Sequence, residues 1–204
     1  MGDHLDRFAE VSQQSKEYQG HGWGCAWLQN GAWRIYRNIK PIWEDTDRPR
    51  GRTTLVLAHA RSAFRDEGIA IENNMPFADD SHVFIFNGEL QGVRIKEQGR
   101  IGAEKIFNYI KRFNKGDMLN ALTRAVDVIS KRTRYVRALN ILIADRHETL
   151  LASSYGEDPD YFQLRAKQQG DMTLVCSQPY PDENDWTRIE NHTITRIQSA
   201  QGHH

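Results

Sequence analysis

Hydrophobic positions along this chain change their spacing three times. Near the start, Leu5, Phe8, Ala9 and Val11 recur at helical intervals, and Asp3 is placed to cap the helix they predict. The glycine cluster QGHGWG at 19–24 ends that pattern. Two aromatic-rich runs follow, CAWLQ at 25–29 and AWRIYR at 32–37, joined by Asn30-Gly31, a pair that predicts a tight β-hairpin. The polar tract WEDTDRPRGR at 43–52 predicts a surface loop, and LVLAHA at 55–60 and HVFIF at 82–86 predict buried strands. IGAEKIFNYIKRF at 101–113 and MLNALTRAVDVISKR at 118–132 carry the apolar repeat of amphipathic helices. The last third returns to strands in ALNILIA, ETLLASS, MTLVCS and HTITRI. Helix, four strands, two helices, four strands is the order of an α+β protein with stacked, mostly antiparallel sheets.

Composition narrows the classes open to such a chain. Its 204 residues suit one domain, expected over 1–200, with 201–204 (QGHH) set aside as a tail or tag remnant. With 27 Lys+Arg against 27 Asp+Glu there is no net field to draw nucleic acid or an anionic membrane. No apolar run approaches the ~20 residues of a membrane helix, and MGDHLDRFAEVSQQ has no signal core. Cys25 and Cys176 are too few for a disulfide framework and sit in strand-like runs, which predicts buried, reduced thiols and a soluble cytoplasmic protein. The scattered histidines predict no metal site, and no cofactor is expected.

Four motifs in order carry more than composition can. They are QGHGWG (19–24), LAHARSA (57–63) followed by ENNMPF (72–77), FIFNGEL (84–90) and GRIGAEKIF (99–107), with CSQP and Trp186 after them. Together they resemble the glutaminase-type domain of class II glutamine amidotransferases, the N-terminal-nucleophile type, and most of all its small stand-alone bacterial forms. That resemblance spans roughly residues 5 to 197. It implies a four-layer αββα sandwich of two mostly antiparallel sheets. It also implies a ligand that is glutamine or a γ-glutamyl small molecule, with a synthase subunit as a possible partner.

The resemblance also implies roles. Attack on an amide builds negative charge on its oxygen, and each fixed donor there is worth ~3–4 kcal/mol. Asn87 and Gly88 inherit that oxyanion role; taken alone, the pair reads as a plain turn. Arg61 would hold an α-carboxylate, because a guanidinium fork matches a carboxylate in two parallel bonds. Its plain alternative is a solvated arginine at a strand end. His59 is either a packed, hydrogen-bonded strand residue or part of the ligand's surroundings. Trp23 would shape a pocket wall, and Glu104 falls in the helix-start motif as a substrate-side residue.

Three positions depart from the family pattern. The family nucleophile is a cysteine at residue one of the processed chain, on a strand before the first helix, and its own α-amine is the base. Here residue 2 is Gly2 and the helix begins at once, so the first strand is expected to be missing and the nucleophile absent. His21 stands where the glycine segment carries an aspartate. Gly102 stands where an aspartate reads the α-ammonium of glutamine. Two expectations stay open: an amide-hydrolysing enzyme, and a non-catalytic binding or regulatory module, in effect a pseudoenzyme.

Overall fold

A computed structural model describes residues 1–197; the tail at 201–204 lies outside the described residues. The chain divides into two compact units. The first is Met1–Ile85 with Tyr180–Asp182, and the second is Phe86–Pro179 with the stretch from Glu183 onward.

The first unit opens with α1 (Gly2–Gln13), whose buried face carries Leu5, Ala9 and Val11. Asp3 does not cap this helix. The cap position is Met1 and Asp3 lies inside the first turn, where its charge still suits the helix dipole. Strands β1 (Trp23–Gln29) and β2 (Ala32–Asn38) form the expected hairpin. Asn30 and Gly31 both have positive φ, 52° and 72°, which a two-residue turn matched to strand twist demands. Strand β3 (Val56–Ala60) pairs on the other side, so the sheet order is β2-β1-β3 and the central strand is the most buried. Leu5 and Ala9 of α1 pack with Trp23, Cys25 and Ile42, and each leucine or isoleucine wholly buried there contributes about 1.5–3 kcal/mol.

The tract at 43–52 is more than a surface loop. It begins within a 3-10 turn at Ile42–Glu44, and Asp45 is only 2% exposed. A local string of acids, proline and glycine does read as solvated. What buries Asp45 is the donors that strands β1 and β2 aim at it. After the turn at Phe64–Asp66 comes the two-residue strand β4 (Phe77–Ala78), whose Phe77 faces Phe84 at the start of β5 (Val83–Val93).

From Phe86 onward β5 belongs to the second unit. There the strand order is β11-β7-β6-β5, made of β5, β6 (Thr133–Ala144), β7 (Thr149–Tyr155) and β11 (Thr193–Ile197). Helices α2 (Gly102–Phe113) and α3 (Met118–Lys131) match their expected spans. Asp117 caps α3 by accepting from Asn120 N–H at 3.0 Å. They pack on each other, and α3 also packs on β6, β7 and β11. Lys105, Arg112 and Arg124 stay exposed on their polar sides. A short helix, α4 (Pro159–Phe162), precedes a small third sheet ordered β10-β8-β9, from β8 (Arg165–Gln169), β9 (Met172–Cys176) and β10 (Thr187–Arg188). Among the described residues this small sheet comes in addition to the two mostly antiparallel sheets that the sequence suggested. Among the described residues no helix is long and apolar enough to cross a membrane.

Candidate functional site

Three of the residues singled out from the sequence meet at one end of the first unit's sheet. Register sets Trp23 opposite Ala60 and Gly24 opposite His59. Arg61 follows directly; its N–H donates to Gly22 O at 2.9 Å, and His21 N–H donates to Arg61 O at 3.0 Å. Gly22 has φ of 99°, and a Cβ on it would fall 2.1 Å from Asn74 Nδ2. Only glycine tolerates both that backbone angle and that approach.

Arg61 is 6% exposed. Its Nη1 donates to Gly68 O at 2.8 Å and its Nη2 to Glu67 O at 3.4 Å. Burial pulls its pKa below the ordinary arginine value, and among the described residues no acidic side chain forms an ion pair with it. Asn73, 9% exposed, donates through Nδ2 to the same Gly68 O at 3.0 Å. That donation fixes the amide orientation, and its Oδ1 is buried with no hydrogen-bond partner. Asn74, wholly buried, donates through Nδ2 to Asn38 O at 2.8 Å and also leaves Oδ1 unanswered. Neither asparagine was singled out in the sequence, although both stand in the quoted ENNMPF stretch.

The segment over Arg61 is tied down by His21. Its Nδ1 accepts from Ala63 N–H at 2.9 Å, which leaves the ring proton on Nε2, 3.4 Å from Asp66 Oδ1. Arg65 and Asp66 have φ of 55° and 56°, unusual for side-chain-bearing residues, and residues 65 to 69 are exposed.

Trp23 is wholly buried. Its indole N–H donates to Asp45 Oδ2 at 2.9 Å and its ring lies 5.4 Å from that of Tyr36, so it serves the core. His59 is half-buried within β3. Cys25 is fully buried on β1, and burial, helped by the nearby Asp45 charge, pushes its thiol up to about 12. Cys176 is also pushed up to about 12, chiefly by burial. Neither thiol supplies thiolate near neutral pH.

Asn87 and Gly88 lie in the second unit. They stand in mid-strand, within the eleven residues of β5. A Cβ on Gly88 would lie 2.1 Å from Ala138 O. The glycine therefore admits the backbone of β6, which no local sequence signal reveals. Glu104 accepts from Arg100 N–H at 2.5 Å and from Arg100 Nε at 3.0 Å, so its carboxylate is held by its own helix start. Arg100 and then the other basic neighbours hold its pKa below the ordinary value, against burial. Gly102, at the first position of α2, is exposed, and a Cβ there would meet nothing within 4 Å. Among the described residues no group of three or more His, Cys, Asp or Glu is placed to hold a metal ion.

No protein-family model matches the chain. Its α+β fold is that of solved structures of the glutamine amidotransferase class II type. A predicted glutamine amidotransferase of Pseudomonas aeruginosa PA01 aligns with a TM-score of 0.63 at 17% identity, covering 88% of this chain and 85% of its own. A glutamine aminotransferase class-II domain protein of Silicibacter pomeroyi aligns at 0.64 and 20% identity, covering 87% and 91%. In sequence, a gamma-glutamyl-hercynylcysteine sulfoxide hydrolase of Mycolicibacterium smegmatis (strain ATCC 700084 / mc(2)155) is 27% identical over 204 residues, 96% of this chain and 86% of the relative. The motif resemblance and the fold agree.

Proposed function

We propose that these 204 residues recognise a γ-glutamyl compound, glutamine or a γ-glutamyl amide, through its α-carboxylate on Arg61, and do so without hydrolysing it. The observation that carries this is a buried guanidinium with no acidic partner among the described residues. Two carbonyls occupy two of its five N–H groups and leave its charge unanswered. A buried charge is costly unless paired, and a carboxylate is the partner a guanidinium fits best. His59 contributes to the ligand's surroundings. Glu104, already held by Arg100, is assigned no contact.

Hydrolysis is the second reading, and the M. smegmatis relative, itself a γ-glutamyl compound hydrolase, favours it. Chemistry of the family type needs a cysteine whose own α-amine is free. Cys25 and Cys176 are mid-chain, and their thiols are held protonated by burial. Hydrolysis would bring with it a synthase partner to accept the ammonia.

Melting the protein with and without millimolar L-glutamine, alongside an ammonia-release assay, tests the proposal. It expects an upward shift of Tm by mass action and ammonia at the uncatalysed background. Ammonia release that survives replacement of both cysteines would sink the non-hydrolytic reading. No Tm shift would sink the binding reading.

A further inference from the structure

We propose that Asn73 supplies the acceptor for the ligand's α-ammonium, so that Arg61 and Asn73 together select an α-amino acid headgroup over a plain carboxylic acid. This inference rests on the γ-glutamyl reading of Arg61 and adds the half of the headgroup that reading leaves out.

Three observations converge within the first unit. Gly68 O accepts from Arg61 Nη1 at 2.8 Å and from Asn73 Nδ2 at 3.0 Å, so the two side chains end on either side of one shared acceptor. Asn73 Oδ1 is a buried acceptor with no partner, and leaving such a group unmade costs about 1–3 kcal/mol. Arg61 is a buried cation with no counter-charge among the described residues. A zwitterionic headgroup carries the two missing partners on adjacent atoms: three N–H donors on the ammonium for Asn73 Oδ1, and a carboxylate for the guanidinium.

A neutral amide leaves the Arg61 charge free for the ligand's carboxylate, which an acidic residue in its place would neutralise. Entry requires the exposed segment 65–69 to lift, since Asn73 Oδ1 is closed off from solvent. What holds that segment is the His21 contact to Asp66 and the two carbonyls on Arg61.

The test is a calorimetric comparison of L-glutamate with glutarate, which lacks only the α-amino group. Wild-type protein should bind L-glutamate about tenfold more tightly, the size of one hydrogen bond to a charged group. In Asn73→Leu, checked for folding by its melting transition, that gap should shrink below about twofold while glutarate binds as before. Asn73→Ala serves the same purpose should leucine prevent folding. Equal affinity for the two acids in the wild type overturns the inference, and so does a gap that persists in a folded Asn73 variant. If Arg61→Lys still weakens both acids in that case, the carboxylate reading stands and only Asn73 falls. If neither acid binds the wild type at millimolar concentration, both fall together.

Discussion

The first unit buries two opposite charges and treats them differently. Asp45 is surrounded by donors: Trp23 Nε1 at 2.9 Å, Tyr36 OH at 2.9 Å, Asn38 Nδ2 at 2.8 Å and the N–H of Asp47 at 3.0 Å. Burial alone would raise its pKa, yet those hydrogen bonds hold its carboxyl below the ordinary value. Arg61 has two carbonyls and no acid, and beside it Asn73 keeps an unanswered acceptor. Another buried amide, Asn140 in the other unit, sharpens the contrast. It donates to Phe162 O at 2.7 Å and accepts from Ser153 Oγ at 3.0 Å, complete at both ends. Completed polar networks stabilise and specify a fold, while a buried group left incomplete still calls for a partner.

The comparison breaks first at Asp45. Replacing it in Asp45→Ala strands the indole N–H of Trp23 and the hydroxyl of Tyr36 in the core, and the unfolding free energy should fall by about 3–4 kcal/mol, read by urea denaturation. An unchanged midpoint would mean water fully replaces the carboxylate.

Acid should expose the same residue more gently. A carboxyl with a folded pKa below its unfolded value adds stability that is complete above about pH 4 and is lost as pH falls through the lowered folded value. Asp6, lowered chiefly by its hydrogen bond with Arg50, adds to the same limb. Urea midpoints measured from pH 6 downward should drop less steeply in Asp45→Asn than in the wild type; parallel curves would remove Asp45 from the account.

Arg61 should behave in the opposite way. In Arg61→Met the lost bonds to Glu67 and Gly68 are offset by relief from burying an unpaired cation, so stability without ligand should change by no more than about 1 kcal/mol. The rise of Tm with L-glutamine should vanish in the same variant. A loss as large as that of Asp45→Ala would make Arg61 a structural residue.

Gly102 offers the smallest effect. Its open surroundings and its place at the first turn of α2 mean Gly102→Asp should stabilise by roughly 0.3–1 kcal/mol, through helix propensity and the dipole. Destabilisation on thermal melting would show that the space is not open.

Much of this fold was legible from local pattern. The Asn30-Gly31 hairpin and the spans of α2 and α3 followed from turn chemistry and apolar period, because both are decided by residues near in sequence. Asp45 was not legible: its tract looks solvated, and only strands β1 and β2, folded together, surround it with donors. The close neighbour of Gly88 was hidden for a similar reason, since the carbonyl of Ala138 that demands a glycine comes from a strand fifty residues on. At the candidate site Arg61 was named through the resemblance carried by LAHARSA. Asn73 was passed over, because nothing in a sequence shows which end of an amide goes unanswered.

The central claim is that Arg61 binds a carboxylate, and calorimetry of L-glutamine against wild type and Arg61→Lys tests it most directly. Lysine keeps the charge and loses the fork, so affinity should weaken by about tenfold while the melting transition stays cooperative. Equal affinity in the two proteins, or no binding to the wild type at millimolar L-glutamine, would contradict it.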